Sequence, residues 1–118
     1  MKALSVKQPS ANMISSGEKT IETRTWRTPY RGQVLIVSSK RPRIEPAGCA
    51  VAVATLTDCR PMTREDERAA CCRVYPKAKA WVLEGIRRVE PIPVRGALGL
   101  FDCPLELGDL RWLDEASR

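Results

Sequence analysis

The chain contains no histidine. The usual neutral-pH base is therefore missing, and with it every Ser-His and Cys-His nucleophile mechanism. The five cysteines, Cys49, Cys59, Cys71, Cys72 and Cys103, show no C-x-x-C spacing. With no histidine to complete a set, they carry no zinc pattern, and they read as reduced, mostly buried thiols. No cofactor or metal is implied. No apolar run approaches the ~18 residues of a membrane span. The segment Met1-Lys2-Ala3-Leu4-Ser5 lacks the apolar core of a secretory signal. The expectation is a cytoplasmic protein with no membrane partner. Aromatics are scarce, at three Trp, two Tyr and one Phe. That scarcity excludes a long platform of stacked bases but leaves room for a pocket that holds one nucleotide. Repeats, linkers and low-complexity tracts are also lacking, so residues 1–118 read as a single domain, expected to be a monomer.

Acidic residues are sparse where basic ones gather. Residues 1–60 hold ten Lys/Arg against four Asp/Glu, whereas residues 61–118 hold ten of each. The whole excess of +6 lies in the first half, and the stretch 96–118 is net −3. A charge distribution this polar favours an anionic partner bound on one face.

The local patterns predict five to six short strands and two short helices. Strands are expected at 2–7, 20–26, 33–37, 49–56, 80–86 and 96–101. The segment 49–56 alternates small and large residues and reads as central. A helix is expected over 9–16, with Pro9 at its first position and Gly17 ending it in the left-handed conformation. A second should start at the N-cap Thr63, carry Glu65, Asp66 and Glu67 in its first turn, and run to about Cys72. Pro91 and Pro93 should break the chain, and 105–113 reads as an edge strand or turn. Strands without β-α-β alternation point to an α+β domain, a small barrel rather than a parallel sheet.

The densest chemistry is Gly17-Glu18-Lys19-Thr20-Ile21-Glu22-Thr23-Arg24. It resembles the Gly-x-Lys-x-x-Glu-x-Arg signature of the ASCH family. Ser5-Val6-Lys7-Gln8-Pro9, Arg24-Thr25-Trp26, Tyr30-Arg31-Gly32, Ser38-Ser39-Lys40, Trp81 and the run from Arg87 to Phe101 follow in the family's order, so the resemblance covers roughly residues 2–103. It implies a PUA-like β-barrel with a cleft between the first helix and the barrel mouth, and a role in RNA binding or processing. One branch is similar to an amidohydrolase acting on acetylated cytidine, and ribonuclease activity is suggested for others. The chain departs from the family pattern at three positions. Ser10 stands where a tryptophan often follows the proline, Val37 where a histidine is common, and Glu22 where the amidohydrolase branch carries its threonine nucleophile.

Lys19 and Glu22 are the candidate catalytic pair, with Arg24 as a structural partner of Glu22 that also borders the ligand. In a fully extended strand Lys19 would point away from Glu22 and Arg24, so convergence requires it to lie on the turn after Gly17. Lys7, Arg27, Arg31, Lys40, Arg41 and Arg43 are candidate phosphate contacts. Trp26 and Tyr30 are candidate stacking surfaces, and Gln8 and Ser39 complete the expected ligand set. Trp81, beside Val82 and Leu83, reads as core. The leading expectation is binding of RNA or a nucleoside- or nucleotide-sized ligand. The alternatives are a hydrolase, either an acetylcytidine amidohydrolase or a ribonuclease, and a protein-interaction module. Because the sequence offers no zinc ligand set, the melting temperature should be unchanged by a strong chelator. Stoichiometric zinc by elemental analysis, lost together with stability on chelation, would refute that.

Overall fold

Strand β3 (Gly32–Ser38) shows how the sheet is built. Alternate residues of a strand point to opposite faces. Val34 and Ile36 enter one core with Leu4, Val6, Ala11, Ile14, Leu56, Trp81 and Leu83, while Leu35 and Val37 enter another with Ala3, Val53, Val89 and Val94. A strand covered on both faces reads as a continuous apolar run, and Val34-Leu35-Ile36-Val37 is one. The computed structural model, which describes residues 1–113, is a six-stranded sheet with strand order β2-β5-β4-β3-β1-β6. The other strands are β1 (Lys2–Val6), β2 (Ile21–Arg24), β4 (Cys49–Pro61), β5 (Lys79–Pro93) and β6 (Leu100–Asp102). Only β1 and β3 pair in parallel; the remaining neighbours are antiparallel. The sheet curls into a half-barrel, and its edge strands β2 and β6 do not pair. The expected α+β barrel with two short helices is thus present, with an open seam between β2 and the β1/β6 end.

Helix α1 (Ser10–Ser15) packs Ala11 and Ile14 into the first core. Pro9 occupies the N-cap rather than the first helical turn, and it has no side-chain acceptor to offer. Gln8 takes over that work. Its Oε1 accepts from Asn12 N at 3.0 Å, and its Nε2 donates to Ser38 Oγ at 2.9 Å, which ties the helix start to β3. Gly17 follows the helix with φ +84°, the left-handed conformation expected of it.

Four elements differ from the sequence expectation. Strand β5 runs unbroken through Pro91 to Pro93. Val94 N donates to Gly48 O, so the preceding nitrogen, that of Pro93, turns away from β4, and Pro91 lies in a bulged stretch where β5 has two residues more than β4. Proline is tolerated in sheets at just such places. Strand β6 starts only at Leu100, because Gly96 to Gly99 form a loop in which Gly99 has φ +66°. The helix after Thr63 divides into a 3-10 turn (Arg64–Asp66) and α2 (Glu67–Ala70), and Cys71 ends it at φ +56°. Strand β4 runs on to Pro61, past its expected end at 56, whereas residues 105–113 take the turn form of the reading, a 3-10 turn over Leu107–Asp109 with a single bridge from Trp112 to Val89. The thiols are also less buried than expected. Cys103 alone is buried, and Cys71 and Cys72, past the end of α2, are exposed.

Thr63 and Asp66 form the expected cap: Asp66 Oδ2 accepts from Thr63 N at 2.9 Å while Arg60 grips both carboxylate oxygens at 2.7 and 2.9 Å. The Arg60 hydrogen bonds outweigh burial and hold the Asp66 carboxyl at about 2, below its ordinary 3.8. A carboxyl held low stabilises the fold above its ordinary value, and that stabilisation is lost as pH falls through 3.8 towards 2. Water screens the half-exposed Arg60. Asp66→Asn should therefore cost about 1–2 kcal/mol at neutral pH, with the gap to the parent closing in the acid range. Identical urea midpoints at neutral pH would remove the capping role.

Candidate functional site

The site begins with a buried carboxylate. Lys19 N donates to Met13 O at 3.0 Å, which keeps Lys19 on the turn between α1 and β2. From there its side chain runs inward. Its Nζ donates to Ala70 O at the end of α2 and lies 3.6 Å from Glu22 Oε1. Glu22 and Arg24 are alternate residues of β2 and share a face. Arg24 Nη2 donates to Glu22 Oε2 at 3.1 Å and to Ser5 O of β1 at 2.8 Å. The Lys19, Glu22 and Arg24 side chains are 4%, 10% and 21% exposed. Both oxygens of Glu22 are thus taken by cations, one from behind and one from the seam. The convergence required of Lys19 from the turn after Gly17 is met.

Two cavities open along the seam. One, of about 340 Å³, is bordered by Ser5 and Lys7 of the β1 end, Ser10 of α1, Glu22, Thr23 and Arg24 of β2, Ser39, and Ala97 to Gly99. The other, of about 440 Å³, is bordered by Val37 to Lys40, Gly48 and the segment from Val94 to Leu98. They share Ser5, Ser39, Ala97 and Leu98. Together they form one cleft at the mouth of the half-barrel, with Lys7 and Arg24 on one side and Lys40 and Arg95 on the other. Volumes of this order are typical of small-ligand sites, whose usual range is about 300–1,000 Å³.

The sequence-named residues divide between cleft and scaffold. Lys7, Glu22, Arg24, Ser39 and Lys40 line the cleft. Lys19 lies behind Glu22 and lines neither cavity. Gln8 is buried in the α1 cap. Tyr30 packs on the first core and its hydroxyl donates to Gln33 O. Arg31 donates to Thr28 O and Tyr30 O and sits 3.8 Å from Asp58. Trp26 packs edge-on against Trp81, with ring centroids 4.7 Å apart, and the fully buried Trp81 is core as expected. Arg43 pairs with Glu45 at 3.3 Å, and Arg41 and Arg27 are exposed outside both cavities. The sequence reading missed Arg95, Ala97 and Leu98, because the apolar run Gly96-Ala97-Leu98-Gly99-Leu100-Phe101 reads whole as a short strand. The glycines at both ends of Ala97-Leu98 were the available sign of a loop.

Comparison with known proteins places these observations in a family. A family model described as ASCH domain matches residues 4–93. Among solved structures, the crystal structure of ASCH from Zymomonas mobilis is similar at 20% identity and a TM-score of 0.63, covering 98% of this chain and 90% of that one. A point-variant structure of the same Zymomonas mobilis protein aligns at 19% identity and a TM-score of 0.58, over 95% and 87% of the two chains. No curated protein sequence matches the chain.

The burial of the network decides what its parts are worth. An exposed ion pair contributes about 0–1 kcal/mol, whereas removing one partner of a buried pair costs about 3–5 kcal/mol. Lys19→Ala strips Glu22 of one partner and leaves Ala70 O without its donor, so it should cost about 2–4 kcal/mol. Arg24→Ala should cost less, because water reaches its side chain. Urea unfolding of both variants checks the ranking, and a parental midpoint for Lys19→Ala would overturn it.

Proposed function

The chain belongs to the ASCH domain family, and from that premise we propose that its seam binds RNA by seating a nucleotide between α1 and the loop over residues 95–99. The observation that carries this reading is the placement of Lys7, Lys40 and Arg95 around a cleft of nucleotide size, above a carboxylate already neutralised by Lys19 and Arg24. Glu22 therefore puts no uncompensated negative charge in the way of a phosphate. Ser5, Ser10 and Ser39 border the same space, and their hydroxyls can donate to phosphate, sugar or base edges. The excess charge of the first half of the chain extends the attraction beyond the cleft.

Hydrolysis fits this geometry less well. A general base needs a free lone pair aimed at its proton, and both Glu22 oxygens face cations. Lys19 Nζ, the other candidate, is turned away to Ala70 O.

Short single-stranded RNA should bind with an affinity that falls steeply as salt rises. Lys7→Ala, Lys40→Ala and Arg95→Ala should each weaken binding and reduce the salt slope by roughly 0.7. Arg43→Ala, outside the cleft, should change the slope less. Fluorescence anisotropy at several salt concentrations checks this, and slopes unaffected by the three cleft substitutions would reject the site. Mass spectrometry of acetylcytidine and total RNA incubated with the protein tests the hydrolytic alternative directly.

A further inference from the structure

Leu98 is 98% exposed, whereas the other exposed large hydrophobic residues, such as Trp26, Ile44 and Leu107, lie between 37% and 40%. An apolar side chain held almost wholly in water gains nothing for the fold. Its position is fixed from both ends of its loop. A Cβ on Gly96 would come within 2.9 Å of Ser5 Oγ, so glycine there lets the backbone close down on β1, while Gly99 beside the Trp26 ring takes a φ of +66° that favours glycine. Ala97 and Leu98 are left standing between the two cavities and border both.

Each compartment is supplied separately with charge. Lys7 borders the smaller one, where Arg24 is already paired with Glu22, and Lys40 and Arg95 border the larger. A single nucleotide would occupy one compartment and leave the other, with its cations, unused. We infer that the seam takes two consecutive nucleotides of a single strand, one per compartment, with Leu98 inserted between their bases. This rests on the nucleotide-binding reading above and specifies its ligand as a dinucleotide step. Apolar side chains wedged between neighbouring bases are an established means of parting a stack. A single strand, which has no pairing to lose, yields to such a wedge at low cost. Once the first nucleotide is seated, the second arrives at a high effective concentration through its phosphodiester link.

Charge alone would also favour a longer ligand, so the experiment compares ligands that separate base from phosphate. Calorimetric titration of the full chain would use mixed-base 5′-mononucleotides (pN), nucleoside 3′,5′-bisphosphates (pNp) and 5′-phosphorylated dinucleotides (pNpN). The expected result is pNpN binding about tenfold or more tighter than pNp, although pNp carries as many phosphates and only one base. Leu98→Ala should bring that ratio close to one, with an unchanged melting temperature, since the side chain packs on nothing. Equal affinities for pNp and pNpN, or a ratio that survives Leu98→Ala, would overturn the two-nucleotide inference while leaving the phosphate-binding cleft in place. Failure of all three ligands to bind would instead reject the nucleotide reading, and this inference with it.

Discussion

The carboxylate of Glu22, buried between two cations, is the constraint on which the seam depends. A charge this far from water is tolerated only when it is paired and hydrogen-bonded. The pairing here recruits three separate parts of the chain. Lys19 arrives from the turn after α1 and anchors itself to Ala70 O, which draws the end of α2 against β2. Arg24 comes from the same strand as Glu22, and its second donation reaches Ser5 O on β1. One guanidinium nitrogen therefore neutralises the carboxylate and also spans the gap between the edge strand β2 and the opposite end of the sheet.

That bridge explains how an open half-barrel can keep a defined cleft. Had β2 paired directly with β6, backbone hydrogen bonds would bring the strands to about 4.8 Å and leave no space between them. β6 is too short for that. It pairs only with Lys2 to Leu4, so Ser5 and Val6 extend past its end. The Ser5 carbonyl finds its donor in a side chain instead of a strand. A long side chain spans more distance than a ladder hydrogen bond, and the difference is the cavity. Ser10 and Glu22 border the smaller cavity and Val37 the larger. A small or apolar residue at positions 10 and 37 leaves both compartments open.

Much of this was legible in the sequence because it is local. The alternation in β1, the continuous apolar run of β3, the start of β4, the positive φ of Gly17 and the cap at Thr63 are each decided by neighbouring residues, and each appears where the pattern puts it. The convergence of Lys19 on Glu22 could also be stated in advance, as a condition on the turn. What escaped depends on contacts far apart in the chain. Pro91 and Pro93 look like breakers until β4 is placed on one side and a bulge is allowed for. Gln8 looks like a ligand contact until Ser38 and Asn12 claim its amide. Arg95 has no local signal, since its role comes from β5 ending beside the Ser38–Lys40 segment. A short apolar run also misleads where glycine is frequent, because residues 96–101 read as a strand although only Leu100 onward forms one.

The aromatic residues narrow the kind of recognition that the cleft can perform. Trp81 is wholly buried and donates to Trp26 O at 3.3 Å, Trp26 packs against it, Tyr30 and Phe101 complete cores, and Trp112 lies 3.8 Å beneath Arg87. Tyr75 is half-exposed but borders neither cavity. No aromatic ring therefore lines either compartment, and the stacking that dominates many single-strand binders is not part of this site. What remains is charge from Lys7, Lys40 and Arg95, hydroxyls and backbone groups at close range, and one aliphatic side chain. Charge attracts without selecting sequence, so on the proposed reading discrimination between bases would fall to the short polar groups and to the shape of the space around Leu98. A cleft so composed suits a ligand known by its size and by the spacing of its phosphates more than one known by its sequence.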